Sequence, residues 1–116
     1  MMIRNWISLK TVKAELQIKG WTVFIVQCVG GGYYSGFCED IKKRLKEINA
    51  CNVPYFKRYS HLVPVKVVFQ EDHLPFRDAY AKHLCLRKMT KRHREKLIIT
   101  KKWPLGKRLR ALIDSV

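Results

Sequence analysis

Two stretches rich in branched and aromatic residues decide the fold, Val23-Phe24-Ile25-Val26 and Tyr34-Ser35-Gly36-Phe37. Side chains of this kind favour β-structure because they pack well on a pleated surface. Between the two stretches lies Gly30-Gly31-Gly32, which supplies the positive backbone angles that a tight turn needs. The pattern predicts a β-hairpin with strands at residues 21–28 and 33–37.

The segments after the hairpin predict helices around one further strand. Ile41, Leu45 and Ile48 recur at the spacing of one helix face, and Thr90 is a good N-cap for a later helix. The expected order is helix 39–49, loop 52–59, strand 64–70, helix 75–88, helix 91–99 and a short basic helix at 107–113. The predicted fold class is α+β, a small three-stranded antiparallel sheet flanked by helices, with a basic C-terminal helical extension.

The length of 116 residues suits one domain with a modest core. We expect the domain at residues 21–98, with a basic extension at 99–116. Residues 1–20 are expected to form an added helix or arm, since Trp6, Leu9 and Val12 fall near one helical stripe. The same segment contains no acid before position 15, which is also how an organellar presequence can look.

Positive charge is the strongest compositional signal. The chain has 24 Lys and Arg against 9 Asp and Glu, a formal net charge of +15. Residues 87–110 alone hold eleven Lys or Arg and one acid. Such an excess usually accompanies a polyanion, and nucleic acid explains it better than an anionic membrane, because no large apolar face accompanies the basic run. The uncharged stretch at residues 21–37 is too short and too polar for a membrane span.

The cysteines Cys28, Cys38, Cys51 and Cys85 are expected to be reduced thiols in an intracellular protein. No pair of them has the close spacing of a metal-binding motif. A zinc site assembled from Cys38, Cys51, His83 and Cys85 is the less favoured alternative.

An ordered set of residues along the chain matches a known family. The set comprises Tyr34, Gly36, Asp40, Arg44, Asn49, Lys57, Pro64-Val65 and Lys88-Met89-Thr90-Lys91. Over residues 21–98, this order and spacing resemble the GIY-YIG nuclease family, most closely its small single-domain members. The resemblance implies that Arg44 and the Tyr34 hydroxyl hold a phosphate and that Lys57 flanks the cleft. The alternatives are that Arg44 is a solvated helix charge and that Tyr34 simply packs beside Phe24.

Three positions depart from the pattern that the resemblance implies. Phe24 replaces the first tyrosine, which helps to activate water, and Ile48 replaces a common histidine. His83 stands where the family has its metal-binding glutamate, and Mg²⁺ prefers carboxylate oxygen to imidazole. Asp78 lies five residues away on the predicted helix and points elsewhere. Loss of both functions predicts a fall in rate of several orders of magnitude.

The function expected from these observations is nucleic-acid binding without catalysis, as a structural component of a ribonucleoprotein or ribosome. RNA is favoured over DNA, no cofactor is expected, and the location is the cytoplasm or an organelle such as the mitochondrion. The expected binding residues are Arg44, Lys57, Arg58, Arg87, Lys88, Lys91, Arg92, Arg94, Lys101, Lys102, Lys107, Arg108 and Arg110. Tyr55, Phe56, Tyr59 and Trp103 are candidates for stacking on unpaired bases.

The alternative function is an active endonuclease that cleaves DNA at a modified site. In it, Tyr34, Arg44 and His83 are the catalytic residues, and His83 acts as a general base or binds a softer transition metal. Mg²⁺ or Mn²⁺ is expected as cofactor only in this case.

Overall fold

The fold is built on a three-stranded antiparallel sheet, seen in a computed structural model that describes residues 20–103. The strands are β1 (Trp21–Gln27), β2 (Tyr33–Cys38) and β3 (Lys66–Leu74), in the order β2-β1-β3. The hairpin is confirmed, and Gly30 and Gly31 take the positive φ angles of 95° and 92° in its turn. Together with the flanking helices, the sheet confirms the predicted α+β fold class.

Four α-helices and one short 3₁₀ turn surround the sheet in the described part of the chain. They are α1 (Ile41–Asn49), α2 (Pro54–Arg58), the 3₁₀ turn Ser60–Leu62, α3 (Phe76–Lys88) and α4 (Lys91–Thr100). Asp40 caps α1, and Thr90 caps α4 as predicted, each side chain accepting a backbone N–H of the first turn. The prediction of a loop at residues 52–59 is wrong, because α2 occupies most of this segment.

Strand β3 begins and ends later than the predicted strand 64–70. The Val65 N–H donates a hydrogen bond of 2.9 Å to Asn49 Oδ1, at the end of α1, and so does not pair with β1. Pro64 has no N–H to contribute to a sheet. Pairing with β1 therefore begins at Lys66 and runs to Leu74.

The sheet separates two apolar cores because side chains along a strand alternate between its faces. On the first face, Phe24 and Val26 pack with Ile48 of α1 and Phe56 of α2. We call this the α1 face. On the other, the α3 face, Val23 and Ile25 of β1 pack with Phe69, with Ala79 and Leu86 of α3 and with Leu97 of α4.

The inner sides of the helices match the predictions in part. Ile41, Leu45 and Ile48 pack against the α1-face core as expected. In α3, Ala81 is fully buried as predicted, whereas Leu84 and Cys85 are only half-buried. Ala79 and Leu86 are the other two buried residues of this helix.

Glu71 ties the end of the described chain to the sheet. Its carboxylate accepts hydrogen bonds from Lys82 Nζ on α3 and, at 2.6 Å, from Trp103 Nε1. The Trp103 ring also packs edge-on against Phe69. These contacts hold Trp103 beside β3.

Two predictions lie outside the described residues, the N-terminal helix or arm and the basic helix at 107–113. Within residues 20–103, no helix combines the length and the apolar character that a membrane span requires.

Candidate nucleic-acid interface

Tyr34 and Arg44 lie together on the α1 face. Tyr34 of β2 packs against the core of this face, and Arg44 belongs to α1, which packs on the same face. Burial raises the pKa of the Tyr34 phenol, and the nearby guanidinium of Arg44 opposes that rise. The hydroxyl is therefore protonated at neutral pH and available as a donor, next to a permanent cation. Both side chains can donate hydrogen bonds to a phosphate group.

Arg44 is partly neutralised by an acid on its own helix. Its Nη1 lies 3.3 Å from Glu47 Oε2, and both side chains are about two-fifths exposed, at 38% and 37%. An exposed pair of this kind contributes little to stability. Arg44 lines a depression of about 390 Å³ together with Lys43, Glu39 and Asp40. The charge beside Arg44 is therefore mixed, which limits its attraction for a polyanion.

Phe24 and Ile48 are core residues of the α1 face. Phe24 is 1% exposed and Ile48 is fully buried. Phe24 pairs across the hairpin with Gly36, and Tyr34 pairs with Val26 two residues further along β1. Phe24 and Tyr34 thus share a face, but Phe24 brings no hydroxyl with which to activate water.

His83 lies on the α3 face, opposite Tyr34 and Arg44. Its ring centroid lies 4.9 Å from that of Phe37. Phe37 points to the opposite side of β2 from Tyr34 and packs against the α3-face core. His83 Nδ1 is buried and has no hydrogen-bond partner. Burial lowers the pKa of His83, and Arg87 lowers it further. The structure does not bring His83 into contact with the other two residues proposed for catalysis.

Most of the predicted binding cations in the described chain are exposed. Within residues 20–103, the exposed ones whose side chains make no hydrogen bond or ion pair are Lys57, Arg58, Arg87, Lys88, Lys91, Arg92 and Lys102. Lys57 and Arg58 lie on α2 at the α1 face. The others lie where α3 ends and α4 begins, except Lys102, which follows the other end of α4. Lys107, Arg108 and Arg110 lie outside the described residues.

Two of the predicted cations have structural partners. Arg94 is half-buried, and its Nε and Nη2 donate hydrogen bonds of 3.2 and 2.9 Å to the Leu86 carbonyl near the end of α3. Lys101 Nζ donates to the Val68 carbonyl at 3.1 Å. The Arg94 contact joins α4 to the end of α3, and the Lys101 contact joins the end of α4 to β3. Both residues therefore stabilise the fold.

The aromatic candidates for base stacking also divide into buried or hydrogen-bonded side chains and exposed ones. Phe56 is fully buried in the α1-face core and is excluded from base stacking. Trp103 is half-buried and engaged with Glu71. Tyr55 and Tyr59 remain exposed, at 42% and 39%.

Sequence reasoning missed how the exposed tyrosines are arranged. Tyr34, Tyr55, Tyr59 and His61 form a continuous line of ring contacts, which we call the tyrosine row. The i, i+4 spacing of Tyr55 and Tyr59 was the available signal, since such residues are neighbours on a helix. The prediction of a loop at residues 52–59 hid this spacing, because it makes two residues neighbours only on a helix.

The structure separates two members of the alternative zinc set and buries the Cys38 thiol. Cys38 belongs to the α1-face core, whereas His83 lies on the other face. Burial raises the pKa of the Cys38 thiol to about 11, so the thiol is protonated at neutral pH. Within residues 20–103, no three His, Cys, Asp or Glu side chains form a group that could hold a metal ion.

Comparison with known proteins adds no relative. No protein-family model, no curated protein and no solved structure matches this chain. The resemblance to GIY-YIG nucleases therefore stays a prediction made from the residues.

Proposed function

We propose that this protein is an RNA-binding module with a GIY-YIG nuclease-like fold and no cleavage activity, working as a structural component of a ribonucleoprotein. The observation that carries the proposal is the set of exposed cations on α2 and around the ends of α3 and α4. Within residues 20–103, none of these exposed cations forms an ion pair with an acid, unlike Arg44 with Glu47 and Lys82 with Glu71. Phosphates are the natural partners for such a surface.

Two residues argue against cleavage in this proposal. Phe24 lacks a hydroxyl, and His83 packs against Phe37 on the sheet face opposite Arg44. Water activation and metal binding each contribute about 10²-fold or more in enzymes that use them. A scaffold that keeps Tyr34 and Arg44, whose side chains can both donate to a phosphate, is suited to binding.

Salt dependence of RNA affinity tests the proposal. We expect log K to fall linearly with log salt, by about 0.7 for each single-strand phosphate that a cation neutralises. Replacing Lys57 and Arg58 together with glutamine should reduce this slope by about 1.4. Co-sedimentation with ribosomal particles in moderate salt would support the structural role. Failure to bind RNA or DNA at low salt would overturn the proposal.

The proximity of Tyr34 and Arg44 is the observation that favours the endonuclease alternative. The decisive assay incubates branched and single-stranded DNA with the protein and Mg²⁺ or Mn²⁺. We expect no cleavage. Cleavage that is lost in Arg44→Ala would replace the binding proposal with the enzymatic one.

A further inference from the structure

The tyrosine row is an exposed aromatic surface on the α1 face. Tyr34 and Tyr55 stack with ring centroids 5.1 Å apart and planes inclined by 29°. Tyr55 and Tyr59 follow at 5.0 Å, and Tyr59 meets His61 at 6.3 Å. The row starts half-buried at Tyr34 and becomes exposed at Tyr55, Tyr59 and His61.

The row is held in place from beneath. Phe56, fully buried, meets Tyr34 edge-on at 4.9 Å and Tyr55 edge-on at 5.0 Å. Rings fixed in this way lose little conformational entropy when a ligand stacks on them. Tyr59 and His61 then offer ring surface at the open end of a preorganised platform.

Two cations belong to the segment that carries the row. Lys57 and Arg58 lie on α2, between Tyr55 and Tyr59 in the sequence, and both are exposed. Arg44 lies close enough to Tyr34 to influence its pKa. Exposed aromatic rings with Lys and Arg in the same short segment suit a ligand with flat bases on an anionic backbone.

We propose that the tyrosine row binds unpaired nucleobases of a single nucleic-acid strand by stacking, while Lys57 and Arg58 contact the phosphates on either side. This inference rests on the proposed RNA-binding function and specifies its ligand. Bases in a duplex are stacked on each other, so a platform of this kind selects single-stranded segments. Stacking does not read the sugar, so a DNA strand of the same sequence is expected to use the row as well.

Tyr80 provides a matched control for Tyr59. It is 37% exposed, close to the 39% of Tyr59, and it stacks on Phe76 at 6.0 Å. It also contacts Phe37 and therefore lies on the α3 face. A serine substitution removes the same ring from either face.

The experiment measures binding of the full chain to a short single-stranded RNA, to the same strand with its central bases replaced by abasic sites, and to the matching duplex. We expect Tyr59→Ser to weaken single-strand binding by about 5-fold to 100-fold, within the range for loss of one stacked base. Tyr59→Phe and Tyr80→Ser should bind as the natural protein does. The slope of affinity against salt should be unchanged in Tyr59→Ser, since no phosphate contact is lost.

The abasic strand tests the same contact without altering the protein. It should bind the natural protein more weakly than the intact strand, and Tyr59→Ser should show little further loss on it. Equal affinity for the intact and abasic strands, or equal losses in Tyr59→Ser and Tyr80→Ser, would overturn the platform. Either result leaves the RNA-binding function standing if the natural protein binds with a steep salt dependence. Absence of any binding would instead remove that function.

Discussion

The ring of Phe24 lies across the backbone of Gly36, its partner on the neighbouring strand. A Cβ added at residue 36 would lie 2.8 Å from Phe24 Cζ, which is closer than carbon atoms approach in proteins. Phe24 is 1% exposed and has little room to move aside. The glycine of the second strand is thus required by packing, whatever its part in a nuclease motif.

Gly36→Ala should destabilise the protein by about 1–3 kcal/mol, the usual cost of overpacking a core. Urea unfolding measures the change. The double variant Phe24→Leu with Gly36→Ala should lose less than the sum of the two single variants, because leucine has no Cζ to meet the new methyl group. Strict additivity would contradict the contact.

Arg94 and Arg92 should separate stability from binding. Arg94→Ala removes two hydrogen bonds to the Leu86 carbonyl and should lower the free energy of unfolding by about 1.5 kcal/mol. Arg92 is exposed, and Arg92→Ala should change stability by less than about 0.5 kcal/mol. For RNA binding we expect the reverse order, with a salt slope reduced by about 0.7 in Arg92→Ala. Equal losses of stability in the two variants would show that the Arg94 hydrogen bonds do not stabilise the fold.

His83 should make stability depend on pH. Its pKa is lowered from the ordinary value of 6.5, so the unfolded chain binds the proton more readily than the folded one. The contribution of neutral His83 to stability is therefore present above about pH 6.5 and is lost as the pH falls through the folded pKa.

His83→Phe keeps a ring against Phe37 and removes the buried Nδ1 that has no partner. We expect it to stabilise the protein by about 1 kcal/mol at pH 7 and by more at pH 5.5. Thermal unfolding at the two pH values measures both effects, with RNA binding as a control that should not change. A gap between variant and natural protein that narrows on acidification would contradict the assignment.

Lys91 should favour RNA binding and lower the stability of the fold. It is the first residue of α4, where the helix dipole is positive, and the first turn of this helix contains no acid. Lys91→Glu should therefore stabilise the protein by about 0.5 kcal/mol and weaken RNA binding. Lys91→Gln is the intermediate control for both measurements. Unchanged affinity in Lys91→Glu would remove this end of α4 from the interface.

Local patterns were sufficient for much of the fold. The branched and aromatic run Val23 to Val26, the glycine turn and the spacing of Ile41, Leu45 and Ile48 each depend on neighbours in the chain. The N-cap at Thr90 was equally readable, since a cap forms with residues three positions away. The segment at α2 was misread because one turn of helix has too few residues to show a period.

The faces and partners of the candidate residues were decided only when the chain was folded. Helical spacing could not tell that Arg94 reaches Leu86, or that Phe56 is buried while Tyr55 and Tyr59 are exposed. The clearest case is His83, which the order of residues aligned with Tyr34 and Arg44. Because successive side chains of β2 point to opposite faces of the sheet, packing against Phe37 places His83 on the other side of the molecule's sheet from Tyr34.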